Sequence, residues 1–172
     1  MQEHNLNFVV LLEPMIDSRK LTKVCRKIKM ESSYSASDGV SKIWVMWKEP
    51  LRFYLFHCHD QVVTFSVEEH GRASAFLSFV YAKCSVLERR DLWQQLSSLS
   101  TSISLPWMVG DDFNVLLDVE EKLGGNPPEV RALDDFHDAL LSSNLMDAGF
   151  QGTLGATTRK EPHALELGWI DA

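Results

Sequence analysis

The sequence predicts an α/β protein, a two-sheet sandwich with helices on its outer faces, and three observations carry that prediction. Residues 7–12 (Asn-Phe-Val-Val-Leu-Leu) form a continuous apolar run, the pattern of a strand buried on both faces. Residues 43–81 hold several short aromatic and β-branched segments split by turn dipeptides, which points to adjacent antiparallel strands and against a purely parallel, doubly wound sheet. Two amphipathic stretches flank a second apolar run at residues 107–109, so helix and strand alternate in the C-terminal half.

The first strand ends at Glu13-Pro14, which leaves a carboxylate at its tip; Pro14, lacking an N–H, stops the pairing ladder. Asp17 or Ser18 can cap the next helix, whose apolar positions Leu21, Val24, Cys25 and Ile28 fall at i, i+3, i+4 and i+7. Residues 31–39 are Ser-rich and read as a turn. Strands are expected at 43–47, 52–58 and 61–67, split by Glu49-Pro50 and His59-Asp60, and Glu68-Glu69-His70-Gly71-Arg72 reads as a hairpin turn into a strand at 75–81. Ser85-Val86-Leu87-Glu88 has the form of a capping box, opening a helix with Leu92, Trp93, Leu96 and Leu99 on one face. Beyond the run at 107–109, Gly124-Gly125-Asn126-Pro127-Pro128 marks a loop. Leu133, Phe136, His137, Leu140 and Leu141 define a third amphipathic helix with Asp134, Asp135 and Asp138 outward. Residues 151–172 show no period, and no internal repeat is present.

With 172 residues, 45% apolar and 24% charged, the chain suits one globular domain with a real core. Its net charge of −7 is awkward for a non-specific nucleic-acid binder. Residues 18–30 nevertheless carry Arg19, Lys20, Lys23, Arg26, Lys27 and Lys29 and no acid, a charge of +6, so the remainder holds −13. Such a basic helix on an acidic body can meet phosphate, although a solvated helix face is the commoner outcome. Cys25, Cys58 and Cys84 are odd in number and far apart, which predicts free thiols in a reducing compartment. With no secretory leader pattern and no apolar run of membrane-spanning length, a nuclear or cytoplasmic protein that is not secreted is expected.

The candidate chemistry centres on residues 105–114. Trp107, Met108 and Val109 run as a buried strand into Gly110-Asp111-Asp112-Phe113-Asn114, which delivers a carboxylate and a carboxamide to a strand end. In extended chain Asp112 and Asn114 point the same way, one suited to act as base or metal ligand and the other as a hydrogen-bond donor. On spacing alone, a polar turn capping the strand is the commoner event. His57 and His59 share a strand face as metal ligands can, but no second pair follows and a structural role is expected. His137 reads as a hydrogen-bonded boundary residue rather than a general base.

Several stretches, taken in order, resemble one family. They are Leu11-Leu12-Glu13-Pro14; Lys42-Ile43-Trp44-Val45-x-Trp47; Phe79-Val80-Tyr81-Ala82-Lys83-Cys84 followed by Glu88-Arg89-Arg90-Asp91-Leu92-Trp93; Pro106-Trp107-x-Val109-Gly110-x-Asp112-Phe113-Asn114 with Glu120-Glu121-Lys122-x-Gly124-Gly125; and Leu145-x-Asp147-x-Gly149-Phe150-x-Gly152. Together they resemble the endonuclease/exonuclease/phosphatase superfamily, and more narrowly the endonuclease region of plant LINE-type non-LTR retrotransposons. The resemblance covers residues 8–152, so the expected domain is a partial one over 1–152, with a divergent C-terminal tail at 153–172.

The resemblance implies an incomplete four-layer α/β/β/α sandwich (DNase I-like) that hydrolyses phosphodiesters with a divalent metal, usually Mg²⁺. It implies Glu13 as the metal-binding glutamate and Tyr81 as the active-site tyrosine. Asp112 would activate or orient the attacking water, and Asn114 would hold a phosphate oxygen. DNA, RNA and phosphorylated small molecules are all substrates of similar proteins. The family's first strand, with its metal-site asparagine, would precede residue 1, and its Asp-His pair would follow residue 172. Asn5 and Asn7 do not stand in for the former. His163 lacks the Ser-Asp-His setting, Leu154 to Thr158 lacks the Thr-Trp of the pattern, and Asp111 replaces a glycine and sets a like charge beside Asp112. These departures imply a retroelement-derived domain that is weakly active or inactive, with a non-catalytic nucleic-acid or protein interaction module as the alternative.

Overall fold

The computed structural model describes residues 6–35, 42–115, 130–147 and 169–171. Among them, β1 (Phe8–Leu12), β2 (Ser32–Ser35) and β3 (Ile43–Trp47) form one antiparallel sheet in the order β1-β3-β2. A second sheet has the order β4-β5-β6-β7-β9-β8, built from β4 (Leu51–Cys58), β5 (Val62–Glu69), β6 (Arg72–Tyr81), β7 (Trp107–Asp112), β8 (Met146–Asp147) and β9 (Trp169–Asp171). The helices are α1 (Leu21–Lys27), α2 (Val86–Ser102) and α3 (Val130–Ser142).

Side-chain alternation sorts these elements into four layers. Trp44 and Met46 of β3 turn outward onto Leu21 and Cys25 of α1, while Ile43 and Val45 turn inward. The inward residues meet Phe53, Val63, Phe65, Leu77 and Phe79 of the second sheet. On that sheet's far face Val62, Phe76, Val80, Trp107 and Val109 pack under Leu92, Leu96, Phe136 and Leu140 of α2 and α3. The expected α/β/β/α sandwich is therefore present.

The expected hairpin turns at His70-Gly71, where both residues have positive φ (53° and 77°), as a two-residue turn requires. The chain leaves the first sheet for the second at Glu49-Pro50, so β3 and β4 belong to different sheets and are not neighbours in one meander as expected. α2 carries the chain from β6 back to a parallel β7, in register from Phe76↔Trp107 to Tyr81↔Asp112.

Several expectations are corrected. Residues 32–35 are a strand and not a turn, because pairing with β3 satisfies their backbone and Tyr34 packs edge-on against Phe65. β1 is only half-buried throughout, since among the described residues it pairs on one edge alone. Ile28 lies past the end of α1 and is exposed. Ser85 does cap α2 in position, but its side chain makes no cap hydrogen bond; Gln61 and Arg89 anchor that end instead. On α3, His137 and Leu141 face solvent and Ala139 takes the buried position.

No helix among the described residues is long and apolar enough to cross a membrane. The Gly124 to Pro128 loop, the motif at 120–125, residues 149–152, Asn5, His163 and the 154–158 segment lie outside the described residues, as does the side chain of Asp111.

Candidate active site

β6 and β7 end side by side, so Tyr81 and Asp112 are direct partners in register. Tyr81 shares the strand face of Leu77 and Phe79, and Asp112 that of Met108, so both leave the second sheet toward the first. β1 ends at the same mouth between the sheets. There Glu13 turns out of the strand at φ +46°, with its N–H bonded to the carbonyl of Lys42.

The Tyr81 hydroxyl is hydrogen-bonded to the Glu13 carboxylate. Lys42 Nζ closes the triangle, at 3.2 Å from Glu13 Oε1 and 3.5 Å from Tyr81 Oη, with its ammonium 4.5 Å from the centre of the tyrosine ring. The hydrogen bond from Tyr81, then the one from Lys42, holds the Glu13 carboxyl below the usual glutamate range. Burial first, and then the bond to Glu13, pushes the Tyr81 phenol up.

Asp112 is treated differently by its surroundings. Burial pushes its carboxyl above the usual aspartate range, against the Asn114 N–H that donates to Oδ1 at 3.1 Å, and the negative charge of Glu13 adds to the rise. Asn114 adopts φ +50°, a left-handed conformation that asparagine tolerates better than most residues. Its Nδ2 donates to the Ala82 carbonyl, which uses one of the two amide hydrogens.

Two residues to which the sequence assigned no role, Gln61 and Arg89, hold this mouth in shape. Gln61, 2% exposed, donates from Nε2 to Glu88 O (2.9 Å) and accepts the Lys83 N–H on Oε1 (2.7 Å). Arg89, 4% exposed, donates from Nη1 to the carbonyls of Cys84 (2.7 Å), Lys83 (3.1 Å) and Asn114 (3.1 Å). Arg89 stands three before Leu92 and four before Trp93, so its place on the apolar stripe of α2 was a signal available in the sequence. Lys42 had no such signal beyond its place before an apolar strand.

All four residues singled out in the sequence, Glu13, Tyr81, Asp112 and Asn114, thus come to one mouth. The donor set is all oxygen: one accessible carboxylate, a half-buried second and an amide. It fits a hard divalent cation such as Mg²⁺, which binds through one or two carboxylates and keeps its remaining places for water and phosphate. Among the described residues no group of three His, Cys, Asp or Glu stands ready to hold a metal. His57 and His59 lie apart from the mouth, rings 6.4 Å apart and nearly parallel, with His59 Nε2 3.3 Å from Asp91 on α2.

No family model matches the sequence, and no curated protein matches it. Solved structures do. The endonuclease domain of TRAS1, a telomere-specific non-LTR retrotransposon, superposes with a TM-score of 0.57 at 11% identity over 84% of this chain and 75% of that one. A beta toxin from Staphylococcus aureus gives 0.53 at 16% identity over 83% of this chain, and a mutant of that toxin with bound magnesium ions gives 0.54 at 16% identity over 83%. This chain spans 60% and 59% of the length of those two toxin chains. At such identities the likeness is one of fold, and the fold is that of DNase I-like proteins.

Proposed function

We propose that this chain is a metal-dependent phosphodiesterase domain of the endonuclease type, derived from a LINE-type retroelement and acting on DNA or RNA in the nucleus or cytoplasm. The observation that carries the reading is the convergence of Glu13, Tyr81, Asp112 and Asn114 at one mouth of a DNase I-like sandwich. The fold shared with the TRAS1 endonuclease domain supports nucleic acid as the substrate, and the sequence motifs support the retroelement descent. Three free thiols suit a reducing compartment.

In the reaction, Asp112 takes the proton of the attacking water, and its burial-raised pKa makes it the better base of the two carboxylates. Glu13 would hold Mg²⁺, which supplies polarisation of the phosphoryl oxygen and neutralisation of developing charge when bound. The free amide hydrogen of Asn114 is a neutral donor to a non-bridging phosphate oxygen, and the Tyr81 hydroxyl would become a second one by turning its single hydrogen away from Glu13. The histidines of the described residues sit on β4 and its following turn, on the β5–β6 turn and on α3, so none of these joins the set, and a set without an imidazole would turn over slowly. Magnesium-dependent nicking of plasmid DNA, lost with chelator and in Asp112→Ala, tests the reading; a wild-type protein that never nicks overturns it.

A second reading is favoured by the exposure of Arg19, Lys20, Lys23, Arg26, Lys27 and Lys29 on and beside α1. In that reading the domain binds nucleic acid through this helix without cutting it. Duplex binding that weakens steeply with salt and on neutralising Lys23 and Lys27, with no nicking, is its signature.

A further inference from the structure

The phosphodiesterase reading leaves one side chain of the mouth without a role, and its placement assigns one. We propose that Lys42 is the resident cation of the site: its ammonium occupies the Glu13 carboxylate, and a divalent ion binds there only by displacing it. The inference rests on the reading of Glu13 as metal ligand.

Three observations carry it. First, Lys42 stands one position before β3 and Glu13 one position after β1, so the antiparallel register that pairs Leu12 with Ile43 brings them face to face. The bond from Glu13 N to Lys42 O fixes their backbones together. Second, Nζ lies 3.2 Å from Oε1 and 3.5 Å from Tyr81 Oη. A divalent ion bound to the same oxygen at about 2.0–2.1 Å would lie no more than about 5.3 Å from the ammonium, itself 3.2 Å from that oxygen, and a protonated lysine has no lone pair to offer it. The two cations therefore repel each other and compete for one carboxylate. Third, both side chains are about half exposed, 47% and 48%, so Lys42 can swing into water while its backbone stays in place. Lys83, two residues after Tyr81, is engaged by Asp60 and does not compete.

The consequence is a site that holds its metal weakly when at rest. Mn²⁺ titration of the full chain, followed by the electron paramagnetic resonance of free Mn²⁺, reads this without any turnover. Lys42→Met should bind Mn²⁺ about fivefold more tightly than wild type or better, and Lys42→Gln should do the same. Lys42→Arg should stay weak, and Lys83→Met, which removes an equal charge nearby, should remain within twofold of wild type. Equal tightening in Lys83→Met and Lys42→Met overturns the proposal in favour of bulk charge. Mn²⁺ binding that Glu13→Gln abolishes but Lys42→Met leaves unchanged overturns it while sparing Glu13 as the ligand. Absence of Mn²⁺ binding in wild type and Lys42→Met alike overturns both.

Discussion

The buried guanidinium of Arg89 donates to the main-chain oxygen of Asn114 at 3.1 Å, and through the same nitrogen to the carbonyls of Lys83 and Cys84. One α2 side chain thereby fastens the exits of β6 and β7, on which Tyr81 and Asp112 stand. Arg89→Met keeps the apolar stem but removes the donor from these three carbonyls. Their desolvation predicts a loss of about 2–4 kcal/mol in urea unfolding. A loss below about 1 kcal/mol would show that the exits are held by other means.

Asp112 sets the pH dependence. Its folded pKa lies above the unfolded one, so the ionised carboxylate costs stability once pH rises past the unfolded value, and folding is favoured below it. The base form, however, is the one the reaction needs. Nicking should therefore climb with pH along a limb whose midpoint lies above the ordinary aspartate range. Asp112→Asn, which keeps an acceptor for the Asn114 N–H, should lose about 10²- to 10⁴-fold in rate with neutral-pH stability unchanged or raised. A limb at or below the ordinary aspartate value would assign the base elsewhere.

The tip position of Glu13 was legible because an apolar run followed by proline marks a strand and its end without reference to anything distant. The partnership of Tyr81 with Asp112 was not, since register across a parallel pair is set by how α2 returns the chain. β2 escaped because serines are poor strand formers, and only its pairing with β3 makes one of Ser32 to Ser35. The pairing of Trp169 to Asp171 with β7 and β8 likewise depends on partners that no local pattern reveals. Lys42 opens a strand motif in the sequence, yet its contact with Glu13 exists only once β1 and β3 are aligned.

Glu13 should govern the metal requirement. Its pKa is lowered, so its ion pairing and hydrogen bonds add stability above the unfolded pKa and are lost as pH falls through the folded one. The carboxylate is consequently ionised across the neutral range in which a hard cation needs it. Glu13→Gln should raise the Mg²⁺ concentration for half-maximal nicking by roughly tenfold or more, since one of few carboxylate ligands is gone. An unchanged Mg²⁺ requirement would place the metal on other oxygens.

Ser78 tests whether stability and chemistry separate in this fold. Its hydroxyl joins Thr64 Oγ1 at 2.7 Å and accepts the Trp107 Nε1–H at 2.8 Å, tying β5, β6 and β7 on the face under α2 and α3. Thr64 and Ser78 are fully buried and Trp107 nearly so, so water cannot replace a lost partner. Ser78→Ala orphans the indole N–H and the threonine hydroxyl and should cost about 2–4 kcal/mol by urea unfolding. Adding Thr64→Val removes the second orphan, so the double variant should lose less than the sum of the two single losses. Because strand alternation sends Ser78 to the face opposite Tyr81, nicking per folded molecule should stay at the wild-type level in both variants. A fall in nicking beyond the fraction unfolded would mean that the helix-covered face sets the geometry of the mouth, through the strands that Ser78 joins.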